Sequence, residues 1–377
     1  MPAISVRDLQ LKDDSTCICS DLIAGTHGRG YWILDDVTPL RQEAAAAAAR
    51  EAYLYKPATA VRVRLAANDP TPWPPELPAG ENPLPGGIID YYLASDVSSP
   101  VTLDILDKAG KVVRSYSSTE AVRNPHPALD PEVYDRLCRA NPTAEDCALP
   151  LYWPAPPMAL TTKKGMHRFS WDLRYQPVAG EGGRGGGEGG GGAVPHHTYA
   201  SVNAPWAPPG QYTVRLTVNG KSYTQPLTLR LDPRVKTPAA GLAQLNALTG
   251  EMYNGARDTH DAYEQARALA AKLASVQSPD AAALRARIDS IAPPPPAGGR
   301  GRGGRGGRGF GRGGGAPAAP TLQSVSGEML GAAMAMQGAD ITPTSSDVAA
   351  VNKARADGKA VMAKWKAVST AAAKIVR

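Results

Sequence analysis

The candidate side chains for proton transfer are His27, Asp35 and Asp36, which lie close together in the sequence near the N-terminus. Such groups can act as a general acid and a general base. The same residues are also typical of a β-hairpin, with His27 and Arg29 beside Gly28 at a turn and two aspartates ending a strand. A glycosidase needs two carboxylates that face each other across a cleft, about 5–10 Å apart. We therefore assign no catalytic residue in this chain.

Three tryptophans lie in proline-rich segments, where an exposed indole ring could stack on a sugar. They are Trp73, Trp153 and Trp206. Tryptophans in such segments more often cover a sheet edge or cap a core. The sequence leaves both interpretations open, so a carbohydrate-binding module is an alternative function and polysaccharide an alternative partner.

The four cysteines form two close pairs in sequence, Cys17 with Cys19 and Cys138 with Cys147. We expect the first pair not to bond mutually, because one intervening residue makes a tight ring. A disulfide between Cys138 and Cys147 would close a short loop if the protein is exported. A zinc site would need a second pair at the right spacing, and no cofactor or metal is expected.

The formal net charge of +6 comes mostly from one glycine-rich tract near residue 300. Without its five arginines the rest of the chain is close to neutral, which excludes an evenly basic surface. The tract resembles an RNA-binding Arg-Gly segment. A flexible linker is the simpler explanation, because the tract holds only one aromatic residue. Nucleic acid is therefore not an expected partner, and RNA binding is the third hypothesis for function. The five residues are Arg300, Arg302, Arg305, Arg308 and Arg312.

Targeting and membrane segments are not expected from the sequence. No window of about 18 uncharged apolar residues is present, so no transmembrane helix is predicted. The stretch from Met1 to Asp14 carries five charged residues and no apolar core, so it is not a signal peptide.

The elements that would position these residues begin with a hairpin over residues 21–36, which cannot be stable alone in water. A β-sandwich of the immunoglobulin or fibronectin kind is expected next, because short alternating strands are separated by turn residues. The predicted strands are Tyr53–Leu65, Ile88–Leu93, Val101–Leu106, Lys111–Tyr116, Met166–Arg174, Gln211–Val218 and Ser222–Leu231.

After Asp232 the apolar period changes from two to about 3.6 residues, which predicts an α-helical bundle. The first helix could break near Gly250 or Gly255. A linker rich in proline, arginine and glycine interrupts the bundle at 293–320. The predicted helices are Ala239–Val276, Ser278–Ile291, Thr321–Met336 and Ser345–Val376.

Four segments, residues 21–41, 87–93, 165–174 and 209–221, carry a resemblance to bacterial sortilin-like proteins, which are labelled BNR-repeat glycosyl hydrolases. In that resemblance, residues 21–41 are similar to the end of the last propeller blade. The hairpin motif consists of His27, Arg29, Trp32 and Asp35. The middle of the chain also resembles the immunoglobulin-like domain of flagellar hook-capping proteins, a fold used for packing and assembly.

The resemblance and the residue patterns together predict three regions. The resemblance implies a remnant of the last β-propeller blade at 1–41, and the patterns predict an immunoglobulin-like sandwich at 50–235 and a helical bundle at 236–377. It also implies a periplasmic or extracellular protein whose partner is the propeller domain of its parent. The repeat motif of such propellers, Ser-x-Asp-x-Gly-x-x-Trp, does not occur in this chain. We therefore interpret the chain as a fragment that forms a non-catalytic accessory region. Removing Met1–Arg41 should leave the remainder folded.

Overall fold

The computed structural model describes residues 4–15, 17–64, 84, 86–120, 160–178, 204–295 and 319–375. The protein mixes α-helices and β-sheets. Its internal contacts divide it into two compact units. The first runs to Lys236 apart from two short pieces, and the second consists of those pieces and everything from Thr237 onward.

Eleven strands lie in the described part of the first unit, in three sheets. A three-stranded sheet has the order β1-β2-β3, a five-stranded sheet the order β5-β11-β10-β7-β8, and a second three-stranded sheet the order β4-β6-β9. The strands are β1 (Val6–Asp14), β2 (Cys19–Thr26), β3 (Tyr31–Leu34), β4 (Ala52–Leu54), β5 (Ala60–Arg62), β6 (Gly87–Leu93), β7 (Thr102–Leu106), β8 (Val112–Ser117), β9 (Gly165–Trp171), β10 (Gly210–Val218) and β11 (Lys221–Leu231).

One predicted strand is wrong. Tyr53–Leu65 was expected to be continuous, but the chain forms β4 in one sheet, crosses over at 55–59, and forms β5 in the other. Tyr55 is buried where the chain crosses, and its hydroxyl donates to the Glu43 carboxylate. The crossing lets one apolar segment contribute to both sheets.

The five-stranded sheet and the β4-β6-β9 sheet, together called the core sheets, share one hydrophobic core. Alternation along β10 buries Tyr212, Val214, Leu216 and Val218, as the sequence pattern predicts. Trp171 of β9 is completely buried in the same core, where its ring meets the edge of Tyr212 at a centroid distance of 5.3 Å. The described core includes no residue before Ala52, so β1, β2 and β3 lie outside it.

Helices form the second unit. They are α2 (Ala239–Ala274), α3 (Pro279–Ile291), α4 (Leu322–Ala335) and α5 (Ser345–Ala372), whereas the short α1 (Glu43–Ala47) belongs to the first unit. Side chains of Ser278, Thr321 and Thr344 cap α3, α4 and α5. The expected break in α2 does not occur. Gly255 instead lets α2 approach the Met329 side chain of α4, where a Cβ would collide with the sulfur.

No helix in the described part of the chain carries an apolar stretch long enough to cross a bilayer.

Candidate interaction surface

The N-terminal sheet contains the predicted hairpin. Strands β2 and β3 pair antiparallel, with Leu22 opposite Leu34 and Ala24 opposite Trp32. The turn between them places Gly28 and Gly30 in the left-handed region, at φ of 80° and 68°, which favours glycine. His27 and Arg29 lie on this turn.

A third strand, β1, pairs antiparallel with β2 on the side away from β3. The sequence interpretation missed it, because five charged residues between Met1 and Asp14 were read only as evidence against a signal peptide. The sequence does carry a signal for this strand, because Leu9 and Leu11 alternate with Asp8, Gln10 and Lys12.

Opposed residues in an antiparallel sheet lie on the same face. Leu11, Leu22 and Leu34 form one row across the sheet, and Leu9, Ala24 and Trp32 form the next. These two rows therefore make a continuous apolar face. We define the apolar face as Leu9, Leu11, Leu22, Ala24, Trp32 and Leu34.

The apolar face is largely open to solvent. Leu9 is 60% exposed, Leu11 54%, Leu34 52% and Trp32 40%. On the opposite face Tyr31 and Ile33 are also exposed, at 82% and 58%. Among the described residues, none covers this face enough to bury its leucines and its tryptophan.

Arg168 of β9 attaches one end of the N-terminal sheet to the β4-β6-β9 sheet. Its guanidinium donates to both carboxylate oxygens of Asp90, at 2.9 and 3.2 Å, and to the backbone carbonyls of Asp35 and Asp36, both at 2.8 Å. The Asp90 side chain is buried, and burial raises its pKa while Arg168 lowers it. Sequence reasoning did not find this contact, because Arg168 and Asp35 are far apart in the chain.

A second attachment lies near the cysteines. The amide of Thr59 donates to the Cys17 carbonyl oxygen at 2.8 Å. Arg41 donates to the Ser20 hydroxyl at 2.9 Å, and Ser20 in turn donates to the Asp13 carboxylate at 2.6 Å. The sheet is thus held at one end, and its apolar face remains open.

The expectation that Cys17 and Cys19 do not bond is wrong, since the structure joins them in a disulfide. Ile18 between them has φ of 54°, which turns the chain and brings the two Cα atoms to 5.2 Å. An extended chain would place them about 6.6–7.2 Å apart. The other proposed pair, Cys138 and Cys147, lies outside the described residues.

A proton-transfer site involving His27 and Asp35 has no geometric support. His27 lies at the turn and Asp35 follows the far end of β3, so a strand of four residues, about 13 Å long, separates them. Burial raises the pKa of Asp35, with a further increase from Asp21, while Arg168 lowers it. No group of three or more candidate metal ligands occurs among the described residues.

Trp206 is half-buried against the hydrophobic core that the two core sheets share. The guanidinium carbon of Arg174 lies 4.1 Å from its ring centroid and that of Arg64 lies 5.7 Å from it. Two arginine guanidinium groups therefore lie close to this indole ring. Trp73 and Trp153, the other candidates for sugar binding, lie outside the described residues, as does the Arg-Gly tract.

A scan against protein-family models finds no match to this chain, and searches of curated proteins and of solved structures find none either.

Proposed function

We propose that this chain is a non-catalytic accessory region that packs against the β-propeller of an exported, sortilin-like protein of the group labelled glycosyl hydrolases. The apolar face of the N-terminal sheet is its contact surface. In this proposal the two core sheets are an immunoglobulin-like sandwich, the four long helices are a helical bundle, and β2 with β3 corresponds to the remnant blade hairpin.

The observation that carries the proposal is the combination of an open apolar face with a firmly attached end. Burying a leucine or tryptophan side chain is worth about 1.5–3 kcal/mol, and four residues of this face are 40–60% exposed. The contacts of Arg168 hold the sheet in place. An oriented, uncovered apolar sheet is suited to stacking on another sheet.

A periplasmic or extracellular location is part of the proposal. The disulfide between Cys17 and Cys19 supports it, because such bonds persist in oxidising compartments.

Binding to a recombinant β-propeller from a sortilin-like protein tests the proposal by isothermal titration calorimetry. We expect the natural chain to bind, and Leu9→Ser to weaken binding about 10- to 100-fold, because one leucine loses its burial. Ile341→Ser is the matched control, since Ile341 is 53% exposed but lies in the second unit. Its affinity should equal that of the natural chain.

Absence of binding by the natural chain would contradict the proposal. Equal losses for Leu9→Ser and Ile341→Ser would also contradict it, because binding would then not depend on the apolar face.

A further inference from the structure

The two edges of the N-terminal sheet differ in how well they are protected from pairing with another strand. The β1 edge carries charged side chains, and its register shifts between Val6 and Asp8. Charges and such irregularities protect an edge from pairing with another strand. The β3 edge, Tyr-Trp-Ile-Leu, has no charge, proline or irregularity within the strand. The unprotected edge is therefore β3.

Hydrogen bonding at the turn fixes which backbone groups of β3 point outward. The amide of Thr26 donates to the Gly30 carbonyl at 3.1 Å, so the backbone groups of Gly30 point toward β2. Because the backbone amide and carbonyl groups of successive residues point to alternate sides of a strand, those of Trp32 and Leu34 also point toward β2. The amide and carbonyl groups of Tyr31 and Ile33 point away from the sheet, toward a strand that would add there.

A second copy of β3 fits this edge in one register especially well. If Trp32 lies opposite Trp32 of the second copy, Tyr31 lies opposite Ile33 of that copy. The outward-pointing amide and carbonyl groups of the two strands can then form hydrogen bonds with each other. The same register aligns two pairs of outward-facing residues, Tyr31 with Ile33 and Ile33 with Tyr31. Shifting the register by two residues in either direction leaves only one such pair within the four-residue strand.

We propose that the chain forms a two-fold symmetric dimer by antiparallel pairing of β3 with β3 of a second copy, in the register that opposes Trp32 with itself. The dimer has a six-stranded sheet in which the two apolar faces are continuous. Because the paired edges are short, the interface falls in the small, weak class, below about 1,200 Å². This dimer goes beyond the proposed function, since the edge of the sheet makes it and the apolar face remains open.

Cysteine cross-linking in the full chain tests the register. In a pair without hydrogen bonds, such as Trp32 with itself, the Cα atoms are about 4.5 Å apart, which suits a disulfide. We expect Trp32→Cys to form a covalent dimer under mild oxidation, with the 32–32 linkage identified by mass spectrometry. The natural chain controls for its own cysteines.

Tyr31→Cys is the matched control. Tyr31 is more exposed than Trp32, at 82% against 40%, so random collisions would cross-link it faster. In the proposed register the two copies of residue 31 are diagonal neighbours, about 7–8 Å apart, beyond the reach of a disulfide. Cross-linking of Tyr31→Cys that equals or exceeds that of Trp32→Cys would overturn the proposal.

Sedimentation equilibrium tests the dimer without cysteine. We expect the natural chain to dimerise weakly. A natural chain that stays monomeric up to about 1 mM, a range that covers weak interfaces, would overturn the proposal.

Discussion

Replacing Arg168 with methionine is expected to lower the free energy of unfolding of the first unit by about 3–5 kcal/mol, the usual cost of removing one partner of a buried ion pair. Asp90 is only 2% exposed, and Arg168 binds both of its carboxylate oxygens. Methionine fills similar space but leaves the carboxylate without its cation. Urea unfolding followed by circular dichroism measures the change.

Lys163→Met is the control for this variant. Lys163 pairs with Asp96 at 3.2 Å, but both side chains are mostly exposed, so the loss should stay within about 1 kcal/mol. A loss for Arg168→Met no larger than that for Lys163→Met would show that the pair of Arg168 and Asp90 does not stabilise the first unit.

The effect of Arg168→Met should also depend on pH. Burial raises the pKa of Asp90 above its ordinary value of 3.8, and removing Arg168 removes the group that lowers it. A carboxyl whose pKa is higher in the folded state favours folding at low pH, and this contribution is lost as the pH rises through the folded-state pKa. The deficit of Arg168→Met should therefore be smallest near pH 4 and grow toward pH 8.

Gly86→Ala is expected to cost about 3 kcal/mol or more. Gly86 precedes β6 with φ of 103°, a conformation that strains any residue with a Cβ. A Cβ there would also collide with the backbone carbonyl of Trp171, whose side chain is completely buried. A backbone atom in a packed core cannot move aside without a large cost in free energy. The costs of backbone strain and of the collision therefore add. Thermal unfolding measures the loss.

Gly110→Ala separates strain from collision. Gly110 has φ of 79°, but a Cβ there meets no atom within 4 Å. Its cost should be the strain alone, about 1–2 kcal/mol. Equal costs for the two variants would show that the close approach to Trp171 does not matter.

Helices and hairpin strands could be predicted from the sequence because their signals are local. The four long helices lie within about four residues of the predicted ends, since apolar period and capping residues mark them directly. The Asn219-Gly220 turn was predicted for the same reason, and both residues have positive φ. The close approach of Gly255 to Met329 could not be predicted, because Met329 lies on another helix.

Contacts between distant parts of the chain could not be predicted. The division of residues 53–65 between two sheets depends on where β6 and β11 lie. The candidate surface was predicted in part: the hairpin with Trp32 was expected, but its extension by β1 and its attachment through Arg168 were not. The bond between Cys17 and Cys19 was missed because a positive φ at Ile18 was not considered.

The central claim is that the N-terminal sheet is an attached contact surface and not a part of the core. Differential scanning calorimetry of the chain without Met1–Asp36 tests it most directly. This boundary keeps Val37 and Pro39, which are buried. We expect the first unit to keep a cooperative unfolding transition, because its core begins at Ala52, and the truncated chain to be more soluble. Loss of that cooperative transition would contradict the claim.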